Sequence, residues 1–191
     1  MLLLCTANQC RSPMAEVLLR HHLAEVGADV RVSSAGLLPG GRPATEHGRS
    51  LMAERGLDLS AHVSSQVDRG RIRDADLVLG MAREHVREVA VLDPGALART
   101  FTLKELVRDA SAVGPRHADE RLDGWLERVS ARRRRDALMG VGHDEAYDVA
   151  DPIGRDRADY DATARELDHL LAVVVSLAWP SATPHGQEKS A

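Results

Sequence analysis

The stretch "LLLCTANQCRSPMAE", residues 2–16, restricts the possible folds more than any other part of the chain. Leu2 to Leu4 form an apolar run of strand length, and a polar loop follows as far as Arg11. Ser12, Pro13 and Glu16 then carry the signs of a helix start: a capping hydroxyl, a proline at the first helical position and an acid in the first turn. The spacing predicts a helix from there to Gly27. A strand that enters a helix through a short polar loop opens a strand-helix-strand unit, and the rest of the chain repeats the alternation. "DVRVSSAG" (29–36) reads as a second strand ended by Gly36, "ATEHGRSLMAERG" (44–56) as a helix, "ADLVLGM" (75–81) as a buried strand, "REHVREVAVL" (83–92) as a helix and "RTFTL" (99–103) as a fourth strand. "KELV" begins another helix. Connections of this length favour an α/β fold: a small, doubly wound, four-stranded parallel sheet with helices on both faces. Such sheets bind ligands at the carboxyl ends of their strands, where the loop after Leu4 lies.

At 191 residues the chain suits one domain, expected over 1–180. The pattern blurs over about 108–147, which reads as a charged, helical insertion containing "ARRRRD" (131–136). That run is expected to be a solvated helix face rather than a docking patch. A long last helix begins near Arg157, with Leu167, Leu170, Leu171 and Val174 at helical spacing, and residues 181–191 lack the apolar content to order themselves. A composition 43% hydrophobic and 28% charged, with a net charge of −4, is that of a globular protein with no general attraction for nucleic acid. Any anion site must therefore be local. No apolar stretch reaches the length of a membrane span, and "MLLL" is too short for the apolar region of a secretory leader, so none is expected. The two cysteines, separated by four residues, cannot staple a domain of this size, so a reducing, cytoplasmic location is expected.

Those two cysteines, Cys5 and Cys10, share the first loop with one arginine. Backbone N–H groups of Thr6, Ala7, Asn8, Gln9 and Cys10 can converge there with the positive end of the following helix, which makes a cradle for an oxyanion. Arg11 can fork two donors onto two oxygens of a phosphate, a geometry lysine cannot reproduce. The same field favours the thiolate form of a cysteine at its centre. On C-x5-R alone, a pattern that occurs by chance, Cys5 reads more readily as a small buried hydrophobe. The strand before it, the helix start after it and the serine following the arginine shift the balance toward a nucleophile with its own anion receptor.

These residues resemble the phosphate-binding loop of the low-molecular-weight protein tyrosine phosphatases, an apolar strand followed by C-x-x-N-x-C-R-S-P. "SSAG" (33–36), "GLDLSAHVSSQ" (56–66), "ADLVLGMAREH" (75–85) and "DP" (151–152) occur in that family's order, so the resemblance covers about 1–106 and 148–178. It implies a phosphomonoesterase that needs no cofactor and no metal. Cys5 would be the nucleophile of a cysteinyl-phosphate intermediate, Arg11 and the loop amides the receptor for the phosphoryl oxygens, and Ser12 the partner of the thiolate. Asp151 would act as general acid and then as base toward water. An Asp-Pro pair is otherwise an ordinary turn starter. Asn8, Ser34 and His62 match the family's supporting network, in which the asparagine holds a left-handed backbone conformation. Cys10 is open to two readings, a packing residue or a thiol able to trap an oxidised Cys5 as a disulfide.

The expected substrate is a phosphorylated protein, a phosphotyrosine protein by resemblance, or a small aryl phosphate; neither nucleic acid nor a membrane is an expected partner. Ile153 and Gly154 stand where many members carry aromatic residues against a phosphotyrosine ring, and Leu37 and Leu38 are candidates for an apolar wall instead. Two rivals remain. An arsenate reductase of the same fold using a small cellular thiol would share the loop but would not need Asp151, and a non-enzymatic phosphate-binding module would not need Cys5, Arg11 and Asp151 together. Zinc held by Cys5, Cys10, His21 and His22 matches no familiar ligand spacing. The histidines at 22, 47, 85, 117 and 169 suggest no role.

Overall fold

The computed structural model describes residues 1–132 and 145–180. Four parallel strands, β1 (Leu2–Cys5), β2 (Ser33–Gly36), β3 (Val78–Gly80) and β4 (Thr100–Thr102), form one sheet in the order β2-β1-β3-β4. Leu2 pairs with Ser33 on one side and with Val78 on the other, and Val78 pairs with Thr100. β1 is buried along its whole length, as the central strand of a covered parallel sheet must be. Its alternate side chains feed two cores. Leu3 and Cys5 join Leu79 and Phe101 under α1 (Arg11–Glu25), α2 (Glu46–Glu54), α5 (Leu103–Val113), α6 (Leu122–Ser130) and α7 (Arg157–Ala178). Leu2, Leu4, Ala35 and Val78 pack with Ile72 of α3 (Arg69–Arg73), Val89 of α4 (Arg83–Leu92) and Ala96 of the 3-10 turn Pro94–Arg99. The chain leaves β1 toward β2 on one side and returns to β3 on the other. The crevice beyond the carboxyl ends of β1 and β3 is thus the topological switch point, where such sheets bind ligands.

The expected architecture is the observed one, with shorter strands. The second, third and fourth strands are confined to 33–36, 78–80 and 100–102 instead of 29–36, 75–81 and 99–103, because β1 offers four residues for pairing to β2 and β3, and β4 pairs with the three residues of β3. β4 stops where Thr102 Oγ1 accepts the Glu105 N–H (3.1 Å) while Glu105 accepts the Thr102 N–H (3.3 Å), a reciprocal cap that starts α5 at Leu103. α3 carries no helical apolar period, with Ile72 its one buried residue, and is initiated by Asp68 accepting the Arg71 N–H (2.8 Å). α1 begins two residues earlier than expected, at Arg11 instead of Pro13, and Ser12 does not cap it. Cys10 occupies the N-cap position without a side-chain cap, which leaves first-turn N–H groups of α1 directed at the loop.

Residues 108–113 continue α5, and α6 inserts Trp125, Leu126 and Val129 into the core, with Trp125 Nε1 donating to Gly114 O (3.1 Å). Arg133 to Asp136 of the basic run, and the tail 181–191, lie outside the described residues. α7 packs along α1 through Leu167, Leu171, Val174 and Val175, while Leu170 is only partly buried. Each fully buried leucine contributes roughly 1.5–3 kcal/mol, so this helix fastens the end of the chain to the face of the sheet behind the loop.

Candidate active site

Cys5 ends β1, and the chain turns at once across the end of β2. Leu37 and Leu38 donate their N–H groups to Thr6 O (2.8 and 3.1 Å). This approach requires Gly36: a Cβ there would lie 2.8 Å from Ala7 C and Asn8 N. At Asn8 the backbone turns left-handed, with φ at 52°, as the resemblance implied. Its side chain is buried and anchored on three sides. Nδ2 donates to Ser12 Oγ (2.9 Å) and Ser34 Oγ (2.8 Å), and Oδ1 accepts the Ser65 N–H (2.9 Å). His62 Nε2 lies 2.8 Å from Asn8 O, and Ser34 Oγ donates to Glu16 Oε2 (2.5 Å). Residues from β2, α1 and the 62–65 segment therefore hold one strained residue in place, and through it the direction of the loop's amides. Gln9 contributes its carbonyl, which accepts the Thr45 N–H (2.8 Å) at the start of α2.

The loop closes over Cys5, which is 3% exposed, and Sγ lies 3.0 Å from Ser12 Oγ. Ser12 Oγ already accepts from Asn8, so its own proton is available to the sulfur. A hydroxyl that donates to sulfur stabilises a thiolate both as nucleophile and as leaving group. This explains why Ser12 does not cap α1: its oxygen serves the loop. Cys10 is buried and its thiol is also free. Burial first, and then the nearby Asp151 and Cys5, push its pKa up to about 12, so it is a neutral thiol at any physiological pH.

Arg11 is 4% exposed and reaches from the start of α1 to the far side of the crevice. Nη1 donates to Val149 O (3.1 Å), and Nη2 to Thr6 Oγ1 (3.2 Å) and to the carboxylate of Asp151. The 149–151 segment is fixed by Val149 N–H donating to Met81 O (2.8 Å), just after β3, and by Thr163 Oγ1 of α7 donating to Ala150 O (3.4 Å). Asp151 also accepts the Ile153 N–H (3.1 Å). Cys5, held by Ser12, and the Arg11–Asp151 pair thus stand around one loop at the carboxyl end of β1, with the sulfur and the guanidinium buried and the carboxylate partly exposed. Leu38 and Ile153, 50% and 46% exposed, adjoin it through their backbone N–H bonds to Thr6 O and the Asp151 carboxylate.

Sequence reasoning missed several members of the site. Glu16 and Ser65 complete the Asn8 network. Glu84 and His85, from the first turn of α4, both reach Thr6 Oγ1 (3.0 and 3.3 Å). Only the quoted segment "ADLVLGMAREH", whose order matched, pointed toward that turn. His21 and His22 lie elsewhere: both face Glu25, and His22 Nε2 is 2.8 Å from Asp168 on α7. Among the described residues no group of three His, Cys, Asp or Glu side chains is placed to hold a metal ion.

The sequence model of the family described as Low molecular weight phosphotyrosine protein phosphatase matches residues 1–119. The chain belongs to that family. Within it, a Protein-arginine-phosphatase of Bacillus subtilis is 40% identical over 105 residues, spanning 54% of this chain and 69% of the relative. The Low molecular weight protein-tyrosine-phosphatase Etp of Escherichia coli is 31% identical over 134 residues, 68% of this chain and 88% of the relative. Among solved structures, a low molecular weight protein tyrosine phosphatase from T. tengcongensis is similar with a TM-score of 0.68 at 30% identity, covering 92% of this chain and 96% of that one. The four-stranded parallel sheet with its loop after β1 is the fold of these neighbours, and the chain is a phosphatase.

Proposed function

We propose that this low molecular weight phosphatase dephosphorylates modified side chains of proteins through a cysteinyl-phosphate on Cys5. The observation that carries the reading is the joint placement of Cys5 Sγ at 3.0 Å from Ser12 Oγ and of Arg11 on the Asp151 carboxylate. The sulfur attacks phosphorus while Arg11 and the loop amides from Thr6 to Cys10 hold the equatorial oxygens, where charge is greatest in the transition state. Asp151 protonates the departing atom. In the second step water attacks the phosphoryl group, gives its proton to Asp151, and releases phosphate and the thiolate, which Ser12 stabilises. Arsenate reduction by a small thiol requires no acid at the mouth of the site, so the Arg11–Asp151 pairing favours the phosphatase.

Several relatives are named protein-tyrosine-phosphatases, which favours phosphotyrosine, and aryl phosphates follow from it. Phosphoarginine is a second reading, favoured by the 40% identity to a Protein-arginine-phosphatase and by the aliphatic character of Leu38 and Ile153 beside the crevice. We place the enzyme in the cytoplasm as one domain over 1–180. Two cores built around a single sheet, unpaired thiols and the lack of any described helix long and apolar enough to cross a membrane support that placement. The test is hydrolysis of matched phosphotyrosine and phosphoarginine peptides without added metal, by the wild type and by Cys5→Ser. Release from the tyrosine peptide, abolished by the substitution, is expected. Release from the arginine peptide alone would replace the first substrate with the second, and release from neither would refute the reading.

A further inference from the structure

His85 is fully buried, at 0% exposure, yet it belongs to the rim of the phosphate loop. It stands in the first turn of α4, in space left by Gly80, where a Cβ would come 2.9 Å from His85 Cβ. Nδ1 accepts the Ala82 N–H (2.8 Å), so the ring proton must reside on Nε2. Nε2 points at Thr6 Oγ1, 3.3 Å away. That hydroxyl gives its single proton to Glu84 Oε1 (3.0 Å) and accepts from Arg11 Nη2 (3.2 Å), which leaves one lone pair for His85 Nε2–H. The tautomer is therefore demanded twice, by Ala82 on one side of the ring and by Thr6 on the other. Every hydrogen-bonding capacity of the Thr6 hydroxyl is then used. Arg11 Nη2 lies between Thr6 Oγ1 and Asp151, so the position of the threonine oxygen sets the tilt of the guanidinium that must fork two phosphoryl oxygens.

We infer that His85 is a positioning residue of this active site, which holds the Arg11 guanidinium in register through the Thr6 hydroxyl. Burial, and next the charge of Arg11, keep the ring neutral and lower its pKa to about 3, so its single proton stays available for the task at neutral pH. Glu84, half-exposed and 3.4 Å from Nε2, orients the threonine proton outward and leaves its lone pairs facing inward. The inference rests on the site roles proposed above. A wild type inactive toward para-nitrophenyl phosphate would refute those roles, whereas the comparison below bears on His85 alone.

Two substitutions separate positioning from mere packing. In His85→Asn the amide oxygen can replace Nδ1 as acceptor for Ala82 but nothing reaches Thr6. In His85→Gln the amide nitrogen can replace Nε2 as donor to Thr6 while the Ala82 bond is lost. The kcat/KM for para-nitrophenyl phosphate and the inhibition constant of inorganic phosphate are measured for both, for Thr6→Val and for the Thr6→Val/His85→Asn pair. His85→Asn and Thr6→Val should each lower kcat/KM about tenfold, the size of one hydrogen bond, and weaken phosphate inhibition in parallel. The pair should lose no more than either alone, and His85→Gln should recover most of the rate. Losses that multiply in the pair, a wild-type rate in His85→Asn, or equal losses in Asn and Gln would each overturn the inference. If neither His85 variant folds, a wild-type rate in Thr6→Val overturns it instead and a tenfold loss sustains it.

Discussion

Asp151 arrives at the loop from 140 residues along the chain, and a few bonds deliver it: Val149 to Met81 and to Arg11, Ala150 to Thr163, Asp151 to Arg11. As general acid it matters most for a poor leaving group. Asp151→Asn should therefore lower kcat about a hundredfold for phenyl phosphate and distinctly less for para-nitrophenyl phosphate, as steady-state rates on the two esters will show. Equal losses on both would deny it the acid role. At Asn8 two properties are combined, a left-handed backbone and three side-chain bonds. Asn8→Gly keeps the first and Asn8→Ala keeps neither, so urea denaturation should find Asn8→Ala the less stable by about 1 kcal/mol. Both should bind phosphate more weakly, which calorimetry can measure. Cys10, its pKa raised to about 12 by burial, should remain unmodified when iodoacetate alkylates Cys5 at neutral pH. Peptide mapping showing carboxymethyl groups on Cys10 would contradict that.

At the scale of elements, the tightest constraint is the crossing of the loop over the end of β2. Gly36→Ala sets a Cβ at 2.8 Å from two backbone atoms that cannot rotate away. It should cost about 1–3 kcal/mol and reduce phosphate affinity more than a comparable change far from the loop. Thermal denaturation with and without phosphate separates the two effects. The strand-loop-helix unit at the start of the chain was legible in the sequence because its signals are local: an apolar run, a cysteine and an arginine at loop spacing, a proline at a helix start. α4 was legible to the residue, Arg83–Leu92, because a turn precedes an apolar period. Strand limits were not, since pairing with a four-residue β1 decides where β2 and β3 end, and that partner is remote in sequence. α3 escaped because five residues with one buried side chain carry no period. Ser12 looked like a cap by its position, yet its hydroxyl is committed to Asn8 and Cys5, a tertiary demand that outweighs the local one.

For the molecule as a whole, the two cores and the site share one sheet, so a group buried at the site also affects the stability of the fold. His85 illustrates this and was illegible in sequence, because its partner Thr6 is 79 residues away and one histidine on a helix has no spacing to read. Its ring takes up a proton near pH 6.5 in the unfolded chain and only near 3 in the folded one. Between those values the unfolded state binds more protons, so stability falls as pH falls, by about 1.4 kcal/mol per unit from this group. Urea titrations from pH 7 to 4 should show this slope in the wild type and a shallower one in His85→Asn. The central claim is that phosphate passes through the Cys5 sulfur, and rapid acid quenching tests it most directly. Ser12→Ala, which slows departure of the thiolate, is mixed with para-nitrophenyl phosphate, stopped within the first turnover, digested and examined by mass spectrometry. A phosphoryl group on the peptide that carries Cys5 is the predicted result. Phosphate release by a Cys5→Ser enzyme at the wild-type rate would contradict the account.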